Sequence, residues 1–174
     1  GFGKLGEPLA VPHHTKFRVR HPGTGVVLTG VPDEMLRGPE GLWILDYKTA
    51  RFTEGQDDLL PVYVAQLNGY ALIAEALGYG KVAGLGLGYY EPATDIGDAD
   101  LDGLLLLNGF KMAFRAKLLP IERDEALVPA LLARAKAILD LPAAPEGRRG
   151  CRDCEAVERL ERLLAAPAAP GLLE

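Results

Sequence analysis

Two acidic residues and a lysine are the residues of this chain best suited to chemistry. Asp33 lies in a turn-like segment, and Asp46 and Lys48 lie two positions apart near the end of an apolar run over residues 42–49. Two carboxylates can hold a hard divalent cation such as Mg²⁺ through oxygen. A bound cation polarises a phosphoryl oxygen and generates hydroxide from water, and a lysine ammonium stabilises the phosphorane or orients the water. These three residues are the minimum set for metal-dependent hydrolysis of a phosphodiester.

The apolar run predicts a buried strand over residues 42–49, because it is rich in large aliphatic and aromatic side chains. Side chains alternate along a strand, so Asp46 and Lys48 share a face and lie about 7 Å apart by strand rise. Burying an acid and a lysine costs free energy unless they pair or bind something. A solvated pair at the end of an ordinary strand is the alternative that these two residues leave open.

A helix is predicted over residues 58–77, downstream of this strand. Asp58 is one candidate N-cap, and a start at Leu60, with a proline in the first turn, is the other. Gln66 and Tyr70 are four residues apart, so they lie on one face of the helix. Apolar residues on a neighbouring face indicate the side that packs against the core.

Taken in order, the patterns Gly-x-x-Asp, Asp-Tyr-Lys and Gln-x-x-x-Tyr resemble the motifs of the RecB-type branch of the PD-(D/E)xK nuclease superfamily. That branch includes exonuclease domains of bacterial recombination helicases, phage exonucleases and CRISPR-associated RecB-like nucleases. The resemblance covers roughly residues 15–156 and depends on the ordered set rather than on any one motif. It implies an α/β fold with a restriction-endonuclease-like core, in which helices flank a central mixed β-sheet.

The resemblance also implies a metal centre, in which Asp33, Asp46 and the main-chain carbonyl of Tyr47 bind Mg²⁺ or Mn²⁺. Many members carry a further histidine or acid on an upstream helix that reaches the same metal. Glycine and proline are dense in residues 1–15, which argues against a long helix there. The candidates within this chain are Glu7, His13 and His14. A surface position is the favoured interpretation of these three, and a segment outside this sequence is the other source considered.

For catalysis and substrate binding, the resemblance implies that Lys48 assists the reaction. Gln66 and Tyr70 are expected to contact DNA or to brace the lysine. Bases at alternate positions of a predicted strand over residues 16–21 point to one face, and another base follows the Asp-Tyr-Lys strand. The further DNA contacts expected from these positions are Arg18, Arg20 and Arg51.

Cys151 and Cys154 follow a proline-containing linker, as in family members that carry an iron–sulfur cluster. Two thiolates cannot complete a four-cysteine cluster or a tetrahedral zinc site, so we expect no iron–sulfur cluster. The sequence leaves three interpretations open: a lost cluster with two free thiols, a disulfide, or further ligands in a missing segment. The first is the favoured one.

Length and composition predict one compact domain, and the resemblance makes its core a nuclease core. The chain has 174 residues, of which 48% are hydrophobic and 25% charged, enough to bury a core. We predict an N-terminal extension (1–15), the core (16–142) and a C-terminal segment with a short helix and a disordered tail (143–174). Neither an apolar run of about 18 residues nor a signal-peptide pattern is present. A cytoplasmic protein without membrane contact is therefore expected.

The remaining elements are predicted from periodicity and turn residues. They are a hairpin over 16–21 and 25–31, strands over 82–90 and 114–122, and helices over 124–140 and 153–165. Gly84, Gly86 and Gly88 should leave one strand face smooth enough for a helix to pack closely. Pro120 predicts that its strand lies at a sheet edge or ends there.

A formal net charge of −5 is the main objection to a nucleic-acid partner. Nuclease sites gather acids around a metal that supplies positive charge, and further acids lie between Asp95 and Asp102. The sequence therefore predicts a metal-dependent DNA nuclease, specifically an exonuclease in repair, recombination or phage- or CRISPR-type DNA processing. It would bind DNA, within a larger assembly in some settings. The alternatives are a non-catalytic DNA-binding or scaffolding domain of the same fold and a restriction-like endonuclease.

Overall fold

A computed structural model describes residues 5–51, 58–93 and 103–165. Its contacts divide the chain into two compact units, Gly1–Arg134 and Ala135–Glu174. The whole acidic stretch from Asp95 to Asp102 lies outside the described residues. The same holds for residues 166–174, where the sequence predicts a disordered tail. No helix within the described ranges is long and apolar enough to cross a bilayer.

The described elements follow one another in a mixed α/β order. They are β1 (Glu7–Leu9), β2 (Arg18–Arg20), β3 (Val27–Thr29), β4 (Glu34–Gly38), β5 (Gly41–Lys48), α1 (Leu60–Ala76), β6 (Val82–Pro92), β7 (Leu105–Leu106), β8 (Gly109–Phe110), β9 (Phe114–Ile121), α2 (Leu127–Leu139) and α3 (Arg152–Ala165).

A five-stranded mixed sheet forms the centre of the first unit, with strand order β1-β4-β5-β6-β9. Strands β5 and β6 are parallel, whereas the other neighbouring pairs are antiparallel. Strands β2 and β3 form a separate antiparallel hairpin, as predicted, although both are shorter than expected. The predicted α/β class with a central mixed sheet is confirmed.

Helix α1 connects β5 to β6 and covers one face of the sheet. Its buried Leu67, Ala71 and Ile73 belong to the same core cluster as Ile44 of β5 and Leu87 of β6. Because alternate residues of a strand share a face, the side chains of the Asp-Tyr-Lys motif at positions 46 and 48 also point toward α1. The core and the candidate site therefore lie on one sheet face.

The start of α1 distinguishes the two sequence predictions. The N-cap is Leu59, the helix begins at Leu60, and Pro61 lies in its first turn. The prediction of Asp58 as the N-cap is therefore wrong, and the alternative start is confirmed. Proline is tolerated there because the first helical N–H groups have no partner within the helix.

Strands β1 and β4 and the short β7–β8 hairpin are elements that the sequence analysis does not predict. Strand β4 begins directly after Asp33 and pairs along its whole length with β5, from Glu34 opposite Leu45 to Gly38 opposite Gly41. It has only five residues, and its pattern is too short to indicate a strand without that partner. The predicted edge position of Pro120 is confirmed, because β9 ends the sheet.

The sequence predicts that a helix packs closely on the glycines of β6, but at Gly84 and Gly86 side chains of the neighbouring strands lie there instead. A Cβ atom at Gly84 would lie 2.5 Å from the Trp43 ring, and one at Gly86 would lie 2.8 Å from Leu118 Cδ1. Side chains of the two neighbouring strands therefore occupy the space above both glycines. Their absent side chains allow the bulky residues of β5 and β9 to pack over the strand between them.

A buried asparagine joins α1 to the segment between β9 and α2. The Asn68 side chain is fully buried. Its Nδ2 donates hydrogen bonds to the carbonyls of Val64 (3.0 Å) and Glu122 (3.1 Å). Its Oδ1 accepts from Arg123 Nη1 (3.2 Å) and from the main-chain N–H of Asp124 (2.8 Å). All the hydrogen-bonding capacity of this amide is used, and three of its four bonds join α1 to residues 122–124.

Replacing Asn68 by alanine should lower the free energy of unfolding by about 1–3 kcal/mol, because the Glu122 carbonyl and the Asp124 N–H lose their partner and the buried amide leaves a cavity. Urea denaturation followed by circular dichroism measures this change. Asn108→Ala is the matched control, since Asn108 is exposed in the β7–β8 turn and should change stability little. Equal stabilities for the two variants would contradict a structural role for the Asn68 amide.

Candidate active site

Asp46 and Lys48 form the centre of the candidate site at the C-terminal end of β5. Asp46 is only 4% exposed, whereas the Lys48 side chain is 22% exposed. The Lys48 ammonium forms an ion pair with Asp46 Oδ2. The shared face predicted from strand alternation thus brings the acid and the lysine into direct contact.

Helix α1 holds the other oxygen of the same carboxylate. Gln66 Nε2 donates to Asp46 Oδ1 at 3.0 Å and lies 2.7 Å from the Tyr70 hydroxyl. The predicted common helix face of Gln66 and Tyr70 is confirmed, and this face points toward the end of β5. Gln66 contacts the acid directly, so its orientation fixes the carboxylate that Lys48 pairs with.

Asp33 reaches the site through the pairing of β4 with β5. Its Oδ2 accepts a hydrogen bond from the main-chain N–H of Tyr47 at 2.7 Å. Asp33 is exposed, unlike Asp46. The Tyr47 hydroxyl donates to Glu34, and its ring packs edge-on against Tyr90 with centroids 5.4 Å apart. Asp33 therefore lies beside the residue that follows the buried acid.

The surroundings of Lys48 keep it charged. Its Nζ lies 4.3 Å from the centroid of the Tyr63 ring, a cation–π arrangement. Burial acts to lower the pKa of Lys48, but the hydrogen bond and charge of Asp46, together with Tyr63 and Asp33, outweigh it and raise the pKa above its ordinary value. Lys48 is thus an ammonium at neutral pH, suited to stabilising negative charge rather than to accepting a proton.

The chemistry of the two acids fits a hard divalent cation. Asp46 Oδ2 is buried and ion-paired with the Lys48 ammonium. A carboxylate oxygen is a suitable ligand for Mg²⁺ or Mn²⁺ once the ammonium moves aside. In the described part of the chain, no group of three or more His, Cys, Asp or Glu residues could hold a metal. Mg²⁺ held by one or two carboxylates usually keeps several waters and binds substrate phosphate oxygens.

The three upstream ligand candidates are not brought into such a group. Glu7 lies on the edge strand β1, opposite Arg37. His13 and His14 are exposed, with ring centroids 3.9 Å apart, and His13 Nδ1 lies 3.0 Å from Thr15 Oγ1. This placement agrees with the favoured interpretation of all three as surface residues.

The three arginines predicted to contact DNA are all exposed. Arg18 and Arg20 lie on β2, and Arg20 Nη1 donates to the Gly25 carbonyl at 2.6 Å. Arg51 follows three residues after the Asp-Tyr-Lys motif. They remain predicted contacts.

The glycine of the Gly-x-x-Asp pattern has a steric role that sequence reasoning missed. A Cβ atom at Gly30 would collide with Tyr70 Cε1 and would lie 2.9 Å from Tyr70 Cδ1. Gly30 and Tyr70, with Thr29 and Gln66 among others, line a cleft of about 180 Å³. The Tyr70 ring can approach this closely only because residue 30 has no side chain. The glycine at this motif position could have indicated a close contact. The sequence does not show that its partner is Tyr70, 40 residues further along the chain.

Gly30→Ala should lower the free energy of unfolding by about 1–3 kcal/mol through overpacking against Tyr70. In a Tyr70→Ala background, the same change should cost much less, since contacting residues are energetically coupled. Urea denaturation of the four proteins measures the coupling. Gly109→Ala is the control, because a Cβ atom there would meet nothing within 4 Å. Equal costs of Gly30→Ala in both backgrounds would rule out the proposed contact.

The cysteine pair lies in the second unit, at the start of α3. Both thiols are free and partly exposed. The pKa of Cys151 is lowered by hydrogen bonds from the Cys154 backbone and thiol and from the Asp153 backbone, with a smaller effect of the Arg148 charge. A thiol at a helix N-terminus is a known setting for a stabilised thiolate. The interpretation as two free thiols agrees with this geometry.

Cys151 should therefore react with iodoacetamide at lower pH in the folded protein than in urea, because a lower pKa increases its thiolate fraction at a given pH. Alkylation rates at Cys151, measured by peptide mass spectrometry across pH 6–10, provide the comparison. The same midpoint in both states would show that the helix start does not stabilise the thiolate.

Comparison with known proteins identifies the family of the chain. Residues 3–159 match the PD-(D/E)XK nuclease superfamily. None of the curated proteins compared with the chain is significantly similar to it. The crystal structure of SSO0001 is similar, with a TM-score of 0.41 and 16% sequence identity over 93% of this chain and 59% of that one, so the chain spans less than two thirds of that protein.

The superfamily match carries a coarse functional meaning. Its members are generally hydrolytic nucleases that typically use divalent metals and act on DNA, which suggests a nuclease here. The match includes both acids, the lysine and the glutamine–tyrosine pair of α1, and it covers most of the sequence. The chain belongs to the PD-(D/E)XK nuclease superfamily.

Proposed function

We propose that the protein is a divalent-metal-dependent deoxyribonuclease of the RecB-type branch. It would act as an exonuclease on DNA in the cytoplasm, in repair, recombination or phage- or CRISPR-type DNA processing. The observation that carries the proposal is the buried Asp46 carboxylate, held by Gln66 on one oxygen and by Lys48 on the other. Asp33 accepts a hydrogen bond from the main-chain N–H of Tyr47, the residue that follows Asp46.

Asp33 and Asp46 would hold Mg²⁺ or Mn²⁺ together with the main-chain carbonyl of Tyr47. When bound, the metal supplies a polarised phosphoryl oxygen and an activated water. Gln66 fixes the orientation of Asp46 through Oδ1, and Tyr70 in turn positions Gln66. This support keeps the acid in a single orientation, which a pre-organised site requires.

In the free protein, Lys48 neutralises the buried Asp46 carboxylate. Once Asp46 takes part in metal binding, the ammonium no longer has to balance that charge. Its three N–H donors can then turn toward a phosphoryl oxygen or the attacking water. In that position the Lys48 ammonium would stabilise the negative charge that develops on the phosphate.

The exposed Arg18, Arg20 and Arg51 would contact the phosphates of the DNA outside the reacting centre. Such contacts position the substrate without reading its sequence. Gln66 and Tyr70 already contact the acid or each other in the free protein, so their main role would be to position Asp46. Any contact that they make with the DNA strand would be additional.

Cleavage of labelled DNA tests this proposal. Linear single- and double-stranded DNA and closed circular DNA are incubated with Mg²⁺, Mn²⁺ or EDTA. We expect metal-dependent cutting of linear DNA from its ends and no cutting with EDTA. Asp46→Ala should abolish cleavage because it removes a metal ligand, and Lys48→Ala should slow it at least about 100-fold. Glu40→Ala and Lys81→Ala should cut at the parental rate, since both residues are exposed at the opposite end of the sheet.

Each contrary outcome identifies a different error. Rapid cutting of circular DNA would favour the restriction-like endonuclease over the exonuclease. A folded protein that neither cuts DNA nor binds Mn²⁺ would favour the non-catalytic DNA-binding or scaffolding domain. Parental cleavage by Asp46→Ala would show that the site is wrongly assigned.

A further inference from the structure

Lys48 is one end of a row of residues that crosses the sheet to a second lysine. Tyr89 of β6 is the registered partner of Lys48 on one side and of Lys117 of β9 on the other. Registered partners point to the same face of a sheet, and each strand spacing is about 4.8 Å, so the Cα atoms of the two lysines lie roughly 10 Å apart. Lys117 is exposed.

Arg115 extends the same face one step further along β9. It lies two residues before Lys117, whereas Leu119, two residues after it, packs against the core beneath α1. The face of β9 therefore changes from apolar to basic at the end of the sheet where Lys48 lies. Arg115 and Lys117 each have another interaction in the free protein, and their exposed side chains can still reach a phosphate.

The same end of the sheet continues into an exposed apolar hairpin, defined here as residues 103–112. Strands β6 and β9 pair as far as Pro92 opposite Phe114, and the Ala93 N–H donates to the Ala113 carbonyl at 2.9 Å. The hairpin leads directly into this end of β9. Its large exposed side chains are Leu105 (65%), Leu106 (53%), Leu107 (99%), Phe110 (67%) and Met112 (54%).

The charge of residues 103–121 is opposite to that of the whole chain, although Glu91 of β6 is the registered partner of Arg115. Residues 103–121 contain Lys111, Arg115 and Lys117 and not one acid, whereas the chain carries a formal net charge of −5. An exposed apolar surface of this kind indicates a binding site rather than an ordinary protein surface. A partner that matches both the basic and the apolar side chains must be anionic and must present flat apolar groups.

We propose that Lys117 and the hairpin bind single-stranded nucleic acid beside the active site. Lys117 binds a backbone phosphate near the scissile phosphate, which lies at Lys48. The hairpin binds unpaired bases, chiefly through Phe110. In a duplex the bases are stacked and paired, so the apolar side chains would have no partner; a single strand offers both phosphates and base faces. The assignment rests on the proposed nuclease function, because it takes Lys48 as the cutting position.

Binding of a fluorescein-labelled oligothymidylate, followed by anisotropy in EDTA at several salt concentrations, tests the proposal without cleavage. The slope of log K against log salt should become shallower by about 0.7 in Lys117→Ala, because one phosphate contact to a single strand is lost. Phe110→Ala should weaken binding about tenfold with an unchanged slope, because it removes a stacking contact. A duplex of the same length should bind more weakly than the single strand.

Lys81→Ala and Leu163→Ala are the matched controls and should bind as the parent does. Lys81 is exposed at the opposite end of the sheet, and Leu163 is 72% exposed on α3. Circular dichroism and the melting temperature establish that each variant is folded. Phe110 and Lys117 are exposed, so we expect both replacements to fold.

An unchanged salt slope in Lys117→Ala would overturn the phosphate contact. Parental affinity in Phe110→Ala would overturn the role of the hairpin in binding. If that variant also lost self-association, the hairpin would instead join copies of this chain. A protein that binds as expected but never cuts DNA contradicts the nuclease and leaves the binding surface supported. A protein that cuts DNA with an unchanged salt slope contradicts the binding surface alone.

Discussion

A buried carboxylate at the end of an apolar strand is the constraint on which the rest of the site depends. Transfer of an isolated charge such as that of Asp46 into a protein interior is strongly unfavourable, so the fold must supply partners for it. Lys48 provides the opposite charge and Gln66 a hydrogen-bond donor. Replacement of such a pair by apolar residues is often neutral or stabilising. The pair is therefore better explained by the chemistry it makes available than by a contribution to stability.

Strand pairing and helix packing, rather than loops, place the partners of this carboxylate. The antiparallel register of β4 on β5 brings Asp33 to the backbone of Tyr47. The parallel β5–β6 pair requires a crossover, and α1 in that crossover carries Gln66 and Tyr70 over the strand end. The contact of Tyr70 with Gly30 then fixes the helix at the side where the carboxylate lies. Sites built on such elements hold their geometry better than sites built on loops.

The sequence allows prediction of those parts that local periodicity determines. Strand alternation places Asp46 and Lys48 together, and the helical repeat places Gln66 and Tyr70 together. The short strands β1 and β4 escape prediction because only their pairing partner specifies them. The contacts of Gly30 with Tyr70 and of Asn68 with Glu122 join residues 40 and 54 positions apart, which no local pattern encodes. The exposed positions of Glu7, His13 and His14 are likewise set by the fold and not by a local pattern.

Net charge is a poor guide to the partner of a protein with this kind of site. At physiological ionic strength, charges farther than about 8 Å from a bound phosphate are largely screened. The acids that make the chain negative include the two that a metal would neutralise, whereas the segment over residues 103–121 has three bases and no acid. A phosphate near Lys48 and Lys117 would therefore meet two bases, and a bound metal would neutralise the nearby Asp33 and Asp46. The distribution of charge along β5 and β9, rather than its sum, is what favours a nucleic-acid substrate.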